Sequence, residues 1–308
     1  MYDMRNLVSL ADIESSEVSA LSARAACFGA GEAVPPRLEG MAVGLLFVTT
    51  STRTRTSFWR AATKLGADVA CFGPGDLQLN TGETIADTAR VMAGYLDMLV
   101  VRTNADMDQM RALAQTDDLA VVNALTEDEH PTQAIADLAM LTEEFGDLSG
   151  RHILYLGEGN ATAVSLAHAT MHTPGLQLTV VTPSGYGMPD FVWDDVAAAR
   201  DRIREQHTIH DLDLQADAVY TSRWQQMGVS KPDADWMTMF EPYRVSEKLT
   251  QRCGHDETIF MHDLPAVRGQ EVDAEVLDGP MSRAFRQAFH KYTAAAAVLE
   301  WCADGDAA

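Results

Sequence analysis

The length, composition and charge of the chain exclude several classes of protein. It has 308 residues, 46% of them hydrophobic, which is enough apolar material for two separate cores, so we expect two domains. Its 45 acidic residues outweigh 23 Lys and Arg, and the net charge is −22. Such a surface repels nucleic acid and anionic membranes, and we expect neither as a partner.

The cysteines and the hydropathy pattern predict a cytoplasmic protein without a cysteine-based zinc site. Cys27, Cys71, Cys253 and Cys302 are scattered, with no Cys-x-x-Cys pair and no spacing to histidine that suits zinc. We interpret them as reduced structural thiols. The start of the sequence has no basic stretch followed by an apolar core, and no apolar run approaches the roughly 20 residues that span a bilayer.

The hydrophobic pattern predicts an α/β fold with two domains, each a parallel sheet flanked by helices. Short apolar runs alternate with segments of helical period, which is typical of β-α-β units. The predicted strands are Met41–Thr49, Val69–Phe72, Met98–Val101 and Ala120–Asn123 in the first half, and His152–Leu156, Leu178–Val181, Ala218–Thr221 and Ile259–His262 in the second.

A predicted helix from Pro131 to Phe145 links the two domains. It contains no internal Gly or Pro and ends at the break 146–150. We place the first domain at 1–133 and the second at 134–281.

The C-terminal segment 282–302 is predicted to be a helix that packs back against the first domain. Its apolar residues recur at helical spacing, among them Phe285, Phe289, Tyr292 and Leu299.

The segment 51–57, Ser-Thr-Arg-Thr-Arg-Thr-Ser, has the composition of a phosphate site. It follows a predicted strand and opens a predicted helix, whose first N–H groups and dipole attract anions. The hydroxyls of Ser51, Thr52 and Thr54 and the guanidinium of Arg53 stand at the same place. A helix cap normally uses a single Ser or Thr, so this clustering favours phosphate binding over capping alone.

These residues resemble the carbamoyl-phosphate signature of the aspartate and ornithine carbamoyltransferases. Arg102, at the end of the third strand, stands where that family has a second phosphate-binding arginine, and His130-Pro-Thr-Gln133 is similar to its HPxQ motif. The resemblance extends from about Arg37 to Leu299. It implies an enzyme that moves the carbamoyl group of carbamoyl phosphate onto the amino group of a small amino-acid acceptor, in a homotrimer with active sites at subunit interfaces.

The resemblance also implies roles for individual residues. The carbamoyl-phosphate-binding set is Ser51, Thr52, Arg53, Thr54, Arg102, His130, Gln133 and Gln78. Thr54, Arg102 and His130 are the implied catalytic residues, which donate to the carbonyl oxygen as negative charge develops there. Gln133 holds the carbamoyl NH₂ through its side-chain carbonyl. Gln78, in the loop 75–82, reaches into the neighbouring subunit's site.

The acceptor segments resemble the ornithine branch of the family but depart from it. Ser222 replaces an Asp that grips the amino-acid end, and Asp263 replaces the Cys of the HCLP segment, whereas Arg223 and Gln225 are similar to the Arg-x-Gln of aspartate enzymes. The implied acceptor-binding set is Asn160, Ser222, Arg223, Gln225, Met227, Asp263 and Leu264. We expect ornithine or a related diamino or modified amino acid as the acceptor, and an aspartate-type enzyme is the alternative.

Two further features remain open from sequence alone. Lys291 stands about where family members have an arginine on the closing helix. The loop Met227–Met239 is either a lid that closes over the substrates or an ordinary surface connection.

The chemistry that the resemblance implies needs no metal or redox cofactor. Two rival functions would use some of the same residues. A nicotinamide-dependent oxidoreductase would use the turn Gly157–Thr162, but that turn lacks the third glycine of GxGxxG. A non-catalytic sensor of carbamoyl phosphate would not need His130 and Gln133, which act on the carbonyl group and the NH₂.

Overall fold

The computed structural model describes residues 4–78, 82–210, 212, 214–225, 231 and 233–304. They divide into two compact units. One holds the described residues up to Glu144 together with those from Phe289 onward, and the other runs from Phe145 to Ala288. Each unit contains one parallel sheet with helices, which confirms the predicted fold class. Within the described residues, none of the helices has the length and apolar character needed to cross a bilayer.

The first unit has a four-stranded parallel sheet in the order β2-β1-β3-β4. Its elements are α1 (Ser15–Gly29), β1 (Ala42–Phe47), α2 (Arg53–Lys64), β2 (Asp68–Phe72), α3 (Ile85–Ala93), β3 (Met98–Arg102), α4 (Met107–Leu113), β4 (Ala120–Leu125) and α5 (Pro131–Phe145). The chain reverses its direction of winding between β1 and β3. In open parallel sheets, ligands bind outside the carboxyl ends of the strands at such a point.

The strands of this sheet are apolar and are buried on both faces of the sheet. Leu99 and Val101 of β3 are at most 2% exposed and pack in a cluster with Ala89, Met110 and Val121 from neighbouring elements. Continuous rather than alternating hydrophobic residues are typical of a parallel strand with both faces covered. This packing holds the ends of β1 and β3 at fixed positions.

The second unit has a five-stranded parallel sheet in the order β7-β6-β5-β8-β9. Its elements are β5 (His152–Leu156), α6 (Ala161–His172), β6 (Gln177–Val181), α7 (Phe191–Asp195), β7 (Ile203–Gln206), β8 (Ala216–Thr221), α8 (Trp236–Phe240), α9 (Glu247–Cys253), β9 (Gly254–His262) and α10 (Ala274–Leu277). Winding reverses between β5 and β8, so the carboxyl ends of these strands mark this unit's binding edge.

Strand β7 was not predicted from the sequence. After Ile203 its residues are Arg204, Glu205 and Gln206, and the strand lies at the edge of the sheet beside β6. A charged edge strand pairs through its backbone on one side only and needs no apolar run. Hydropathy therefore could not reveal it.

The C-terminal helix α11 (Ala284–Ala303) joins the first unit from Phe289 onward, which confirms that the C-terminal segment returns to the first domain. The predicted packing face was wrong at two positions, since Phe285 is 63% and Phe289 40% exposed. The buried face instead carries Gln287, His290 and Lys291. These polar groups are buried because they find partners; the His290 ring, for example, lies 2.9 Å from a carboxylate oxygen of Glu143.

Candidate active site

The N-terminus of α2 is open to an anion. Its N-cap, Thr52, is exposed, and within the described residues its side chain makes no capping hydrogen bond, whereas α3 and α4 are capped by Thr84 and Asp106. The first-turn N–H groups of α2 therefore keep their capacity to bind a ligand, at the positive end of the helix dipole. Ser51 and Thr54 flank this turn and are 8% and 3% exposed.

Strand register brings Arg102 to the same edge of the sheet. Arg102 ends β3 directly opposite Phe47, the last residue of β1, and its Nε donates to Oγ1 of Thr49 over 3.4 Å. Thr49 lies in the turn that leads to α2, which Arg53 opens. The structure thus places the two predicted arginines on adjacent elements at the point where the sheet winding reverses.

His130 is a neutral imidazole within electrostatic reach of Arg102. It precedes α5 and is 4% exposed. Burial, together with the positive charges of Lys291 and Arg102, holds the pKa of His130 well below its ordinary value of 6.5. At neutral pH the ring therefore has one N–H donor and one lone pair, and the donor can hydrogen-bond a carbonyl oxygen.

Gln133 is oriented from both ends of its carboxamide. Its Nε2 donates to Oδ1 of Asp137 over 2.7 Å, and its Oε1 accepts a hydrogen bond from the Lys291 ammonium. All three side chains are buried. A carbonyl oxygen has two lone pairs, so Oε1 keeps one for a substrate NH₂. Lys291 is therefore part of this half-site, although only its match to a family arginine pointed to it in the sequence.

The predicted site residues also include Gln78 and Met227. Gln78 lies on the loop after β2 with an exposed side chain. Met227 lies outside the described residues, so its predicted role is not addressed by the structure.

The second unit gathers Asn160 and Ser222 at its own binding edge. Ser222, which follows β8, lies 2.6 Å from the hydroxyl of Tyr155 and accepts from Nδ2 of Asn160 over 2.9 Å. The Asn160 Oδ1 caps α6 by accepting from the N–H groups of Thr162 and Ala163. The Asn160 carboxamide thus has a structural role at this edge: its oxygen caps α6, and its nitrogen fixes the position of Ser222.

Tyr155 remains a neutral hydroxyl in this cluster. Burial raises the pKa of Tyr155 well above its ordinary value of 10, and the carboxylates of Asp263 and Glu158 add to this shift. An un-ionised Tyr155 can donate one hydrogen bond and accept others, so it is a suitable partner for Ser222.

Asp263 and Leu264 follow β9 at the same edge. Oδ2 of Asp263 accepts from the Thr162 hydroxyl over 2.9 Å. His262 Nδ1 accepts from the Leu264 N–H over 2.8 Å, and its Nε2 lies 3.2 Å from Oε1 of Glu271, an arrangement that assigns the proton to Nε2. Leu264 has a φ of 54°, a left-handed conformation that branched side chains rarely adopt and that clusters at functional sites.

Arg223 and Gln225 follow Ser222 and are both half-buried. They add a guanidinium and a carboxamide to the chain close after Ser222, which Tyr155 and Asn160 contact. An arginine in this position can bind a carboxylate through two parallel hydrogen bonds.

The glycine turn after β5 is packed by its own chain. A Cβ at Gly159 would overlap the backbone of Gly187 and Met188, and one at Gly157 would lie 3.3 Å from the Trp224 ring. These glycines therefore make room for neighbouring protein atoms, which removes the reason to interpret the turn as a pyrophosphate cradle. Among the described residues, no three His, Cys, Asp or Glu side chains gather to hold a metal ion.

Comparisons with known proteins agree with this geometry. Residues 5–143 match the model of the aspartate/ornithine carbamoyltransferase carbamoyl-P binding domain, and residues 149–302 match that of the Asp/Orn binding domain. The ornithine carbamoyltransferase of Caldicellulosiruptor saccharolyticus is 38% identical over 268 residues, 86% of each chain. That of Haloquadratum walsbyi is 36% identical and covers 96% of both chains.

Solved structures give the same result. The ornithine carbamoyltransferase from Pyrococcus furiosus has a TM-score of 0.90 at 33% sequence identity, covering 98% of this chain and 97% of its own. The chain is an α/β transferase of two sheets. It belongs to the aspartate/ornithine carbamoyltransferase family, as the sequence motifs predicted.

Proposed function

We propose that this chain is a carbamoyltransferase that moves the carbamoyl group from carbamoyl phosphate to the amino group of ornithine or a related amino acid, releasing inorganic phosphate. Among observations of this chain, the grouping at the edge of the first sheet carries the proposal. The uncapped N-terminus of α2 that Arg53 opens, the position of Arg102 opposite the last residue of β1, and the electrostatic effect of Arg102 on the neutral imidazole of His130 support it.

The proposed reaction needs groups that neutralise the leaving phosphate and groups that stabilise the carbonyl oxygen, and the first unit contains residues suited to both tasks. Arg53 and the α2 N–H groups neutralise the dianionic leaving phosphate. Arg102, Thr54 and His130 donate to the carbonyl oxygen as it gains negative charge. The acceptor nitrogen forms a bond to the carbonyl carbon, the bond from that carbon to the phosphate oxygen breaks, and the amine loses a proton to phosphate or solvent.

Gln133 and Lys291 are proposed to fix the carbamoyl end. The Gln133 Oε1 accepts from the carbamoyl NH₂ with its remaining lone pair, while Asp137 and Lys291 prevent the carboxamide from turning over. If the Gln133 carboxamide were reversed, its NH₂ would face the carbamoyl NH₂, and both of these groups are hydrogen-bond donors. The buried Lys291 also adds a positive charge close to His130.

The acceptor is proposed to bind at the edge formed by Asn160, Ser222, Asp263 and Leu264, with Arg223 and Gln225 alongside; Met227, which the resemblance also implies, lies outside the described residues. Tyr155 and Asn160 orient Ser222, and Thr162 orients Asp263. Compared with the ornithine branch, the pocket gains the guanidinium of Arg223. This change supports an acceptor with an additional carboxylate or a modified side chain as well as ornithine itself.

We also propose a homotrimer that works in the cytoplasm. The resemblance implies that Gln78 completes a neighbouring subunit's site, and the side chain of Gln78 is exposed. The thiols of Cys27 and Cys71 are exposed and unpaired with each other, which suits a reducing compartment. A sedimentation measurement that finds a fully active monomer would remove the trimer from the proposal.

The function is tested by supplying carbamoyl phosphate with a panel of amines: ornithine, lysine, 2,4-diaminobutyrate, aspartate and N-acetylated ornithine. We expect phosphate and a ureido product in equal amounts with at least one amino acid. Phosphate release that does not depend on an amine, or binding of carbamoyl phosphate without any product, would contradict the proposal. The variant His130→Asn serves as the inactive control in the same assay.

A further inference from the structure

The second unit contains a lysine whose ammonium group is buried. The Nζ of Lys231 lies 2.6 Å from Oε1 of Glu158, and the side chains of the two residues are 4% and 23% exposed. A lysine that is nearly enclosed loses most of its hydration, so the surroundings must replace it. Glu158 belongs to the glycine turn after β5, whereas Lys231 comes from the segment after β8.

Three aromatic rings supply the rest of that environment. The Lys231 Nζ lies 4.7 Å from the centroid of Tyr186, 4.8 Å from that of Phe240 and 5.5 Å from that of Trp236. Each distance is within the range in which the negative face of a ring attracts a cation. We call Glu158, Tyr186, Trp236 and Phe240 the cation box. One carboxylate and several aromatic faces are the groups that proteins use to bind alkylammonium ligands.

The box is held by contacts that do not involve the lysine. Phe240 packs edge-on against Tyr186 at 4.8 Å and against Trp236 at 5.8 Å between ring centroids, and the Tyr186 hydroxyl donates to Asp233 over 2.8 Å. The Gly159 N–H donates to the Tyr186 carbonyl, which ties the ring to the glycine turn. Since the walls hold one another, we expect the box to persist without its occupant.

The box adjoins the acceptor edge. Glu158 is separated only by Gly159 from Asn160, which holds Ser222. Its carboxylate also acts on the buried hydroxyl of Tyr155, the other partner of Ser222. The lysine's segment continues from Arg223 and Gln225. An alkylammonium group on a bound acceptor would therefore find the box within the same edge of the sheet.

We propose that Lys231 determines acceptor specificity by filling the cation box with its own ammonium, which closes the box to acceptors that would place a positive group there. This inference rests on the proposed function. With Lys231 present, its ammonium balances the negative charge of the Glu158 carboxylate. The native acceptor is then one that has no positively charged group at the position of the box. Without Lys231, the same carboxylate and rings form an empty site for an alkylammonium ion.

The first test is direct binding, which does not depend on carbamoyl transfer. The variant Lys231→Ala is titrated with n-butylammonium chloride, and the fluorescence of Trp236 and Trp224, which pack on Phe240, reports occupancy. We expect saturable binding at least about tenfold tighter than to the unaltered protein. The matched control Lys248→Ala removes an exposed lysine of the same unit and should behave as the unaltered protein does. Adding Glu158→Gln to Lys231→Ala should abolish the new binding.

The second test measures acceptor preference. Lys231→Thr keeps a small polar side chain at this position but leaves the space of the ammonium open, so it covers the case in which the alanine variant does not fold. We expect the ratio of kcat/KM for an acceptor with an additional ammonium to that for the native acceptor to rise about tenfold or more in either variant.

The outcomes separate the two proposals. A folded Lys231→Ala that binds n-butylammonium no better than the unaltered protein would overturn the cation box. Binding without any change in acceptor preference would overturn the specificity role. If no variant and no unaltered protein makes a ureido product, while the ammonium titration succeeds, the proposed function fails and the box stands.

Discussion

Lys291 donates a hydrogen bond to the side-chain oxygen of Gln133, a residue 158 positions earlier in the chain. The contact brings the C-terminal helix to the start of α5, beside the buried imidazole of His130. Because the other end of the Gln133 carboxamide donates to Asp137, its orientation is set from both sides. The last helix thus contributes a side chain to the proposed carbamoyl half-site as well as to the first core.

Replacing Lys291 with Met should reduce kcat/KM for carbamoyl phosphate by about 10- to 100-fold, the usual effect of losing a hydrogen bond from a charged group. The positive charge is lost and Gln133 becomes free to turn over. Steady-state kinetics on the folded variant measure this, with the exposed Lys248→Met as the matched control. Equal rates for the two variants would show that Lys291 only packs the helix.

Arg53→Ala should lower kcat/KM for carbamoyl phosphate by about 100-fold or more, because the leaving phosphate loses a charge-assisted partner. Arg55, two residues later in α2, is exposed and provides the control Arg55→Ala. Circular dichroism should show both variants folded. The assignment of the phosphate to this helix would be contradicted if both substitutions had the same small effect.

Tyr155→Phe should weaken the acceptor site and leave the carbamoyl-phosphate site unchanged. Ser222 loses its 2.6 Å partner, so we expect KM for the acceptor to rise while KM for carbamoyl phosphate stays the same. The free energy of unfolding should fall by about 1–2 kcal/mol, since the hydrogen bonds of the Tyr155 hydroxyl to Ser222 and Asn160 are both lost. Urea titration and two-substrate kinetics measure both effects. A change in KM for carbamoyl phosphate alone would argue against the prediction.

His130 should make the protein less stable in mild acid. The pKa of His130 is held well below 6.5 in the folded chain, so below pH 6.5 the unfolded chain binds a proton that the folded chain does not. The resulting loss of stability is small above pH 6.5 and reaches about 1.4 kcal/mol by pH 5.5. We expect His130→Gln to lose less stability than the unaltered protein between pH 7.5 and pH 5.5. Both free energies of unfolding are measured with urea at constant ionic strength. Equal losses of stability in the variant and the unaltered protein would contradict the claim that the His130 imidazole is neutral.

The sequence was sufficient to predict the two sheets and the phosphate motif because both depend on local pattern. Apolar runs marked eight of the nine strands described, and the hydroxyls and arginine of segment 51–55 stand together before a helical period. Phe285 and Phe289 were misassigned for a physical reason. Helical spacing identifies an apolar stripe, but the buried face of α11 is chosen by partners such as Glu143 and Gln133 that lie far away in the chain.

The cation box could not be predicted from sequence for the same reason. Glu158, Tyr186, Lys231 and Phe240 come from segments after three different strands, and no local sequence pattern indicates that they lie together. Their relation depends on strand order, which places the ends of β5, β6 and β8 side by side. The Lys231 position also lies within the stretch that was interpreted either as a lid or as a surface connection.

The most direct test of the account is a crystal structure with a non-hydrolysable phosphonate analogue of carbamoyl phosphate. The account predicts the phosphonate at the first-turn N–H groups of α2, bound by Arg53 and Arg102, with the analogue's carbonyl oxygen within hydrogen-bonding distance of His130. A ligand bound in another cleft, with the N-terminus of α2 occupied only by water, would contradict it.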